Sequence, residues 1–207
     1  MRIIEQSYEI LSPIDGLQML KNIELAGRVS YKSEDKITDD SAKAFVKVRI
    51  LTGHESILEH EKITVRFICD RGVSHALVRH RHTSVTQEST IYCNYSKDKF
   101  NGEVTFISCD NYLPADQAFI WRSAMSNAEV HYLTLIKAGC SPSIARGVLP
   151  TSVKTEIVFT ANLREWRSIF KQRTPGKGDS PLMADLMRPL CDEFKQLIPV
   201  IFDDIKY

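Results

Sequence analysis

The order of helical and extended segments along the chain constrains this fold most. Residues 61–69 alternate apolar and polar side chains, as a half-buried strand does, and residues 153–160 are rich in β-branched side chains. The longest helical segment is predicted over 115–138, closed by Gly139. Because helices and strands follow one another irregularly, without regular βαβ spacing, we predict an α+β fold with a mostly antiparallel sheet and packed helices.

Weaker patterns predict the remaining elements. We expect a first strand at 2–11, a strand at 103–108 after the Asn101-Gly102 turn, and helices at 14–26, 41–52, 73–80, 142–148, 162–173 and 181–198. Gly27 is interpreted as the stop of the first helix. In the helix at 41–52, Phe45, Val48 and Leu51 share the face that we expect to be buried. Residues 83–90 are polar, with no apolar periodicity, and no element is predicted there.

Composition limits the classes of function. A length of 207 residues favours one domain spanning 1–207. The net charge of +1 gives no bulk attraction to a nucleic acid polymer, and no apolar stretch reaches the ~18 residues of a membrane span, so neither partner is expected. Five scattered cysteines, without a C-x-x-C pair, indicate reduced thiols and a cytoplasmic protein.

The densest chemical signal is the basic run Arg79-His80-Arg81-His82. Two guanidiniums that flank an imidazole suit a phosphate or a ring that gains negative charge. A solvated basic turn is the alternative. The polar run that follows is unusually poor in core residues, which favours a site.

Two further clusters have structural alternatives. His54, Glu59 and His60 could ligate a metal, but their spacing is not that of an H-E-x-x-H helix, and a helix-to-strand corner with capping groups explains them better, so no metal is predicted. Residues 161–178 hold five cations against one acid; Arg164, Arg167 and Lys171 share a helix face that is either solvated or binds an anion. For Arg146 the alternative to a site is a salt bridge. No P-loop and no G-x-G-x-x-G is present.

Together these segments resemble the flavin-dependent thymidylate synthases. The family signature is R-H-R, seven residues and a serine, and it is complete from Arg79 to Ser89. Four further segments match in order and spacing: Ala26-Gly27-Arg28-Val29-Ser30-Tyr31, Gly53-His54-Glu55-Ser56 with Glu59-His60, Ala145-Arg146 with Leu149-Pro150, and Asn162 with Arg164, ending at Arg173.

The resemblance implies a homotetramer that binds FAD in sites between subunits. It implies a methyltransferase that carries a methylene group from methylenetetrahydrofolate to C5 of dUMP, with reduction by NADPH through the flavin. Flavin contacts carry over to Ser30, His54, Ser56, Glu59, Arg79, His80, Arg81, Gln87, Asn162, Arg164 and Ser168, and nucleotide contacts to Arg79, Gln87, Glu88, Ser89, Thr90, Arg146 and Arg173. Arg173 resembles the catalytic cation that lowers the pKa of uracil N3 and raises electron density at C5.

The sequence departs from the family mainly at the nucleotide positions. Ile91 replaces an arginine that contacts the nucleotide phosphate, and Ala76 replaces a glutamine or glutamate. Asp179-Ser180-Pro181 replaces a family histidine. Arg146 and Lys97 or Lys99 could compensate at the phosphate. Other interpretations are therefore flavin-dependent modification of another pyrimidine nucleotide, a non-catalytic flavin- or nucleotide-binding protein, and a basic RNA-binding module.

Overall fold

The computed structural model describes residues 1–176 and 180–207. Within them the chain divides into two compact units. The first comprises Met1–Ser7, Phe67–Arg79 and Thr86–Val158, and the second comprises Tyr8–Arg66, His80–Val85 and Phe159–Tyr207. Lys177 and Gly178, part of the connection predicted after 173, lie outside the described residues, as does Asp179. The single domain expected from the sequence stays a prediction.

The described residues form six strands and seven α-helices. The strands are β1 (Arg2–Ile4), β2 (Ser7–Ile10), β3 (Lys62–Asp70), β4 (Thr83–Gln87), β5 (Thr105–Ile107) and β6 (Lys154–Asn162). The helices are α1 (Gly16–Val29), α2 (Ser41–Leu51), α3 (Arg71–Leu77), α4 (Ala115–Lys137), α5 (Pro142–Ala145), α6 (Leu163–Arg173) and α7 (Pro181–Leu197). Short 3-10 helices include Glu55–His60 and Arg146–Val148.

The predicted fold class is confirmed. Strands β2, β3, β6 and β4 form a sheet in the order β2-β3-β6-β4, which is antiparallel. Strand β1 pairs in parallel with β5, so that Ile3 lies opposite Phe106. Side chains of β3 and β6 are buried at alternate positions, because successive side chains of a strand point to opposite faces.

Each unit has its own core. In the first, Tyr95, Phe106, Met125 and Tyr132 belong to one buried cluster. In the second, aromatic rings pack with centroids 5.3 to 5.6 Å apart; Trp166 and Phe170 are stacked, and the other pairs are tilted or edge-to-face. This aromatic cluster consists of Phe159, Trp166, Phe170, Phe194 and Phe202.

The predicted strand at 2–11 is wrong as a single element. Residues Arg2–Ile4 pair with β5, whereas Ser7–Ile10 join the four-stranded sheet, and the chain leaves regular structure at residues 5–6. Different pairing partners split the segment, and alternation of side chains alone carries no information on partners.

Two details of the helix predictions are also wrong. Gly27 lies inside α1, where a Cβ would approach Phe45 Cε1 to 2.8 Å, so the glycine permits close packing and does not end the helix. In α2 the buried residues are Ala42 and Val46, while Val48 and Leu51 are exposed. Ala42 and Val46 mark the buried face, and the half-buried Phe45 beside them packs against Gly27.

Strand β4 is the polar segment Thr83–Gln87 at one end of the sheet order, and it was not predicted from the sequence. A strand at a sheet edge needs no apolar alternation when few of its side chains are buried. The Asn101-Gly102 turn is confirmed, since both residues have positive φ (55° and 67°) and precede β5. Among the described residues, no helix combines the length and apolar character that crossing a bilayer requires.

Candidate functional site

A polar cavity lies at the start of α6 in the second unit. Asn162 ends β6 and caps α6, because its Oδ1 accepts a hydrogen bond of 2.8 Å from the Glu165 amide. The cavity encloses about 340 Å³. It is lined by Glu59, His82, Asn162, Arg164, Glu165 and Ser168. Four of these, Glu59, Asn162, Arg164 and Ser168, are residues predicted to bind flavin.

Arg164 is the cation of this cavity. Its Nη1 donates to Glu59 Oε1 at 2.5 Å, and the two side chains are 51% and 46% exposed. Exposed ion pairs contribute little free energy, so an anionic ligand can compete with Glu59 for the guanidinium. The Asn162 Nδ2 donates to no acceptor within the described chain and supplies a further donor.

A hydrogen-bonded chain runs from Glu165 through His80 to Arg173. His80 Nδ1 lies 3.0 Å from Glu165 Oε1, and Arg173 Nε donates to His80 Nε2 at 3.2 Å. A guanidinium has donors only, so Nε2 must accept and the ring proton is on Nδ1, where it is donated to Glu165. Because the His80 ring is buried, these two hydrogen bonds hold the Arg173 guanidinium in one orientation.

The structure does not bring every predicted flavin residue to this cavity. Ser30 caps the C-terminus of α1, and the His54 ring contacts Thr52 Oγ1 at 3.5 Å. Ser56, Arg81 and Arg79 are exposed, and Arg79 belongs to the first unit. Their flavin contacts stay predictions. Two lining residues, His82 and Glu165, were not predicted as site residues, although His82 belongs to the basic run.

The second basic cluster separates into different environments. Arg167 is buried, whereas Arg164 and Lys171, on the same predicted helix face, are exposed. The Arg167 guanidinium binds Asp204 and Glu55, so it stabilises the second unit and does not face solvent. For this residue the interpretation as part of a solvated or anion-binding face is wrong.

In the first unit, Gln87 and Glu88 bond within the protein. Gln87 Nε2 donates to Ser74 Oγ at 2.8 Å and to Thr155 Oγ1 at 3.1 Å. Glu88 accepts from Lys154 Nζ at 2.8 Å and from the Tyr95 hydroxyl at 3.3 Å. Burial, reinforced by the Glu88 charge, raises the pKa of Tyr95, so its hydroxyl stays protonated and can donate.

Thr90 and Arg146, both predicted to contact the nucleotide, line a second cavity of about 360 Å³ in the first unit. Arg146 Nη1 donates to Thr90 Oγ1 at 2.9 Å. No carboxylate of the described residues pairs with Arg146, so its interpretation as one half of a salt bridge is wrong. Ser89 makes a local turn, its Oγ accepting from the Ile91 amide. Arg71 and His75 also line this cavity and were missed.

No three His, Cys, Asp or Glu side chains within residues 1–176 and 180–207 are grouped as a metal site would require. The five cysteines are free thiols, and burial raises the pKa of Cys69 to about 12. That thiol therefore stays protonated and unreactive at neutral pH.

Comparison with known proteins identifies the family. The family described as thymidylate synthase complementing protein matches residues 14–200. The flavin-dependent thymidylate synthase of Pyrococcus abyssi is 36% identical over 162 residues, 74% of this chain and 66% of the relative. The protein of that name from Corynebacterium aurimucosum is 30% identical over 195 residues, 88% of this chain and 78% of the relative. The chain thus spans just under two thirds of the Pyrococcus abyssi relative.

Solved structures share the fold. A UMP/dUMP methylase, PolB from Streptomyces cacaoi, bound with 5-Br UMP, superposes with a TM-score of 0.79 at 20% identity, covering 98% of this chain and 95% of the other. The same methylase bound with 5-Br dUMP gives a TM-score of 0.78 at 22% identity. The matches over most of the sequence, together with this fold, show that the chain belongs to the flavin-dependent thymidylate synthase family.

Proposed function

We propose that this protein methylates dUMP to dTMP, with methylenetetrahydrofolate as carbon donor, bound FAD and NADPH as reductant. Family membership and the names of its relatives support the reaction class. The hydrogen-bonded chain Glu165–His80–Arg173 is the observation that carries the proposal, because it orients a cation suited to act on a uracil ring.

Arg173 has the catalytic role in this proposal. A guanidinium beside uracil N3 favours loss of the N3 proton, because it stabilises the anion that remains. The added electron density makes C5 a better nucleophile toward the methylene carbon. His80 and Glu165 act as positioning residues, since they fix the direction of the Arg173 side chain without contacting the substrate.

The cavity at the start of α6 has the donors that a flavin requires. Arg164, His82 and the Asn162 Nδ2 offer cationic and neutral donors to phosphates and ring carbonyls. When bound, FAD supplies the hydride that reduces the transferred carbon. Arg164 would balance the negative charge of the reduced ring, which a fixed guanidinium stabilises without reorganisation.

The proposal includes a homotetramer in the cytoplasm. Large apolar side chains are exposed on α2 and α4, among them Leu51, Phe119 and Ile120, at 74%, 74% and 67%. Exposed apolar side chains of this size are typical of surfaces that contact another subunit. Free thiols support a reducing compartment.

A second candidate function is the modification of another pyrimidine nucleotide. Ile91, 44% exposed, supplies no charge where the resemblance implies an arginine at the nucleotide phosphate. The structurally similar Streptomyces cacaoi protein is a UMP/dUMP methylase, which makes UMP the first alternative to test.

Product analysis tests both candidates. The purified protein is incubated anaerobically with FAD, NADPH and methylenetetrahydrofolate, and with dUMP or UMP, and the nucleotides are separated and weighed by mass spectrometry. We expect dTMP from the native protein and from the surface control Arg122→Ala, and none from Arg173→Ala, which should retain FAD. A methylated product from UMP alone supports the second candidate. No product from either nucleotide contradicts both.

A further inference from the structure

The cavity of about 360 Å³ in the first unit is strongly cationic. Arg71 and Arg146 line it together with His75, Thr90, Pro150 and Thr151. No Asp or Glu of the described chain is among its lining residues. Its volume falls in the range of small-molecule sites, which run from ~300 to ~1,000 Å³.

The backbone of Arg71 is fixed against the segment that follows Arg146. Asp70 caps α3, its Oδ1 accepting from the Val73 amide at 2.6 Å, and Arg71 is the first residue of this helix. The Arg71 amide donates to the Thr151 carbonyl at 2.8 Å. This hydrogen bond connects the start of α3 to the loop after the 3-10 helix Arg146–Val148. The backbone segments that carry Arg71 and Arg146 are therefore held next to each other.

The Arg71 guanidinium has most of its donors unused. Its Nη1 makes two long contacts of 3.5 Å, to the Glu88 carbonyl and to Thr155 Oγ1. Its Nε and Nη2 donate to no acceptor in the described part of the chain. A half-buried guanidinium with free donors is poorly satisfied, and an anionic ligand would complete its hydrogen bonding.

Arg146 is oriented but not neutralised. Its Nε donates to the Ser143 carbonyl at 3.2 Å and its Nη1 to Thr90 Oγ1 at 2.9 Å. Both acceptors are uncharged, and within residues 1–176 and 180–207 no carboxylate forms an ion pair with Arg146 or Arg71. Three of the five donors of Arg146 therefore stay available to a ligand.

Lys99, one of the two neighbouring lysines considered from the sequence, does not provide such a site. Lys99 lines a different cavity, together with Glu88 and Glu156, and its ammonium lies 4.9 Å from the Phe100 ring centre. Lys154 in that cavity is paired with Glu88. The two lysines of that cavity face two glutamates, so Lys99 is not supported as a replacement for the phosphate-binding arginine that Ile91 displaces. The Arg71–Arg146 cavity, in contrast, has two arginines and no acidic residue in its lining.

We propose that Arg71, together with Arg146, binds the phosphate of the nucleotide substrate. The inference rests on the proposed function and extends it, because Arg71 lies outside every motif of the family resemblance. Two guanidiniums match the two negative charges of a phosphomonoester and can each donate in pairs to its oxygens. Arg71 thereby supplies the charge that Ile91 does not, and makes the site selective for a nucleotide over its nucleoside.

The test is isothermal titration of the FAD-loaded protein with dUMP, deoxyuridine and inorganic phosphate. Replacing Arg71 by glutamine removes charge-assisted hydrogen bonds, so we expect dUMP affinity to fall about 10- to 150-fold while deoxyuridine affinity is unchanged. Arg122→Gln, an exposed arginine of the same unit paired with Asp110, is the matched control and should bind like the native protein. If Arg71→Gln does not fold, Arg71→Lys takes its place, since lysine cannot donate in parallel pairs and should also weaken dUMP selectively.

Each outcome decides between the two proposals. Native dUMP affinity in a folded Arg71 variant overturns the role of Arg71 and leaves the proposed function standing. Binding of inorganic phosphate that depends on Arg71, without binding of dUMP, keeps the anion site and overturns dUMP as substrate. Equal loss of dUMP and deoxyuridine affinity assigns Arg71 a structural role and overturns phosphate binding. A native protein that binds none of the three ligands contradicts both proposals.

Discussion

Replacing Arg167 by methionine should destabilise the second unit strongly. The guanidinium is 1% exposed, and its Nη1 and Nη2 donate to the two Asp204 carboxylate oxygens at 2.6 and 2.8 Å. Nη2 also donates to Glu55 Oε1 at 3.0 Å, and Nη1 to the Ile201 carbonyl. One side chain thus joins α6 to the C-terminal segment and to the 3-10 helix Glu55–His60. That helix carries Ser56 and Glu59, two predicted flavin contacts.

The magnitude follows from what the substitution leaves behind. Removing one partner of a buried ion pair costs ~3–5 kcal/mol, because the remaining charges lose their compensation. The side chains of Asp204 and Glu55 are 45% and 21% exposed, so both carboxylates can regain water. Methionine also retains part of the packing of the arginine stem. We therefore expect the lower end, about 3 kcal/mol, which lowers the melting temperature of a chain of this size by about 6–12 °C.

Thermal unfolding followed by circular dichroism measures this effect at one fixed protein concentration. Arg122→Met is the matched control, because the Arg122 side chain is 52% exposed in its pair with Asp110, and exposed pairs contribute at most ~1 kcal/mol. A melting temperature for Arg167→Met within the range of this control would refute the reasoning, since it would mean that the buried ion pair adds no net stability.

We make three further predictions, on acid stability, flavin binding and subunit assembly. Hydrogen bonds from Arg167 lower the pKa of Asp204, so the stability that this pair contributes is complete above the unfolded-state pKa of ~3.9 and is lost as the pH falls through the folded-state pKa. The difference in unfolding free energy between the native protein and Arg167→Met should therefore narrow in acid titrations below about pH 4. A difference that stays constant would contradict this prediction. Arg164→Ala should weaken FAD binding by about 10-fold or more in equilibrium dialysis, whereas Arg122→Ala should not, and unchanged retention would remove Arg164 from the flavin site. Light scattering should give the mass of four chains of 23.6 kDa, and a monomer would contradict sites shared between subunits.

Local patterns predicted the elements that carry the site. The alternation of Ile63, Val65 and Phe67 is enough to specify a half-buried strand, and Asn162 at the start of a helix is a recognisable cap. Asn162 and Arg164 could therefore be placed together before any tertiary structure was considered, because both depend only on the start of α6.

Long-range partners could not be predicted in this way. His80 meets Glu165 and Arg173 across 85 and 93 residues of sequence, and no local pattern records that contact. In the sequence, Arg167 cannot be distinguished from the exposed cations on the same helix, because its partner Asp204 lies 37 residues further along the chain. Arg71 gave no signal either, since a single arginine after a capping aspartate is common at a helix start.

The most direct test of the central claim is the visible absorbance spectrum of the protein with FAD during titration with dUMP. The proposed reaction requires bound flavin and nucleotide to be in contact, so binding of dUMP must change the environment of the flavin ring. We predict flavin bands that shift and saturate with dUMP in the native protein. Bound flavin whose spectrum is unchanged at dUMP concentrations that saturate the protein in the calorimetric titration would contradict the account.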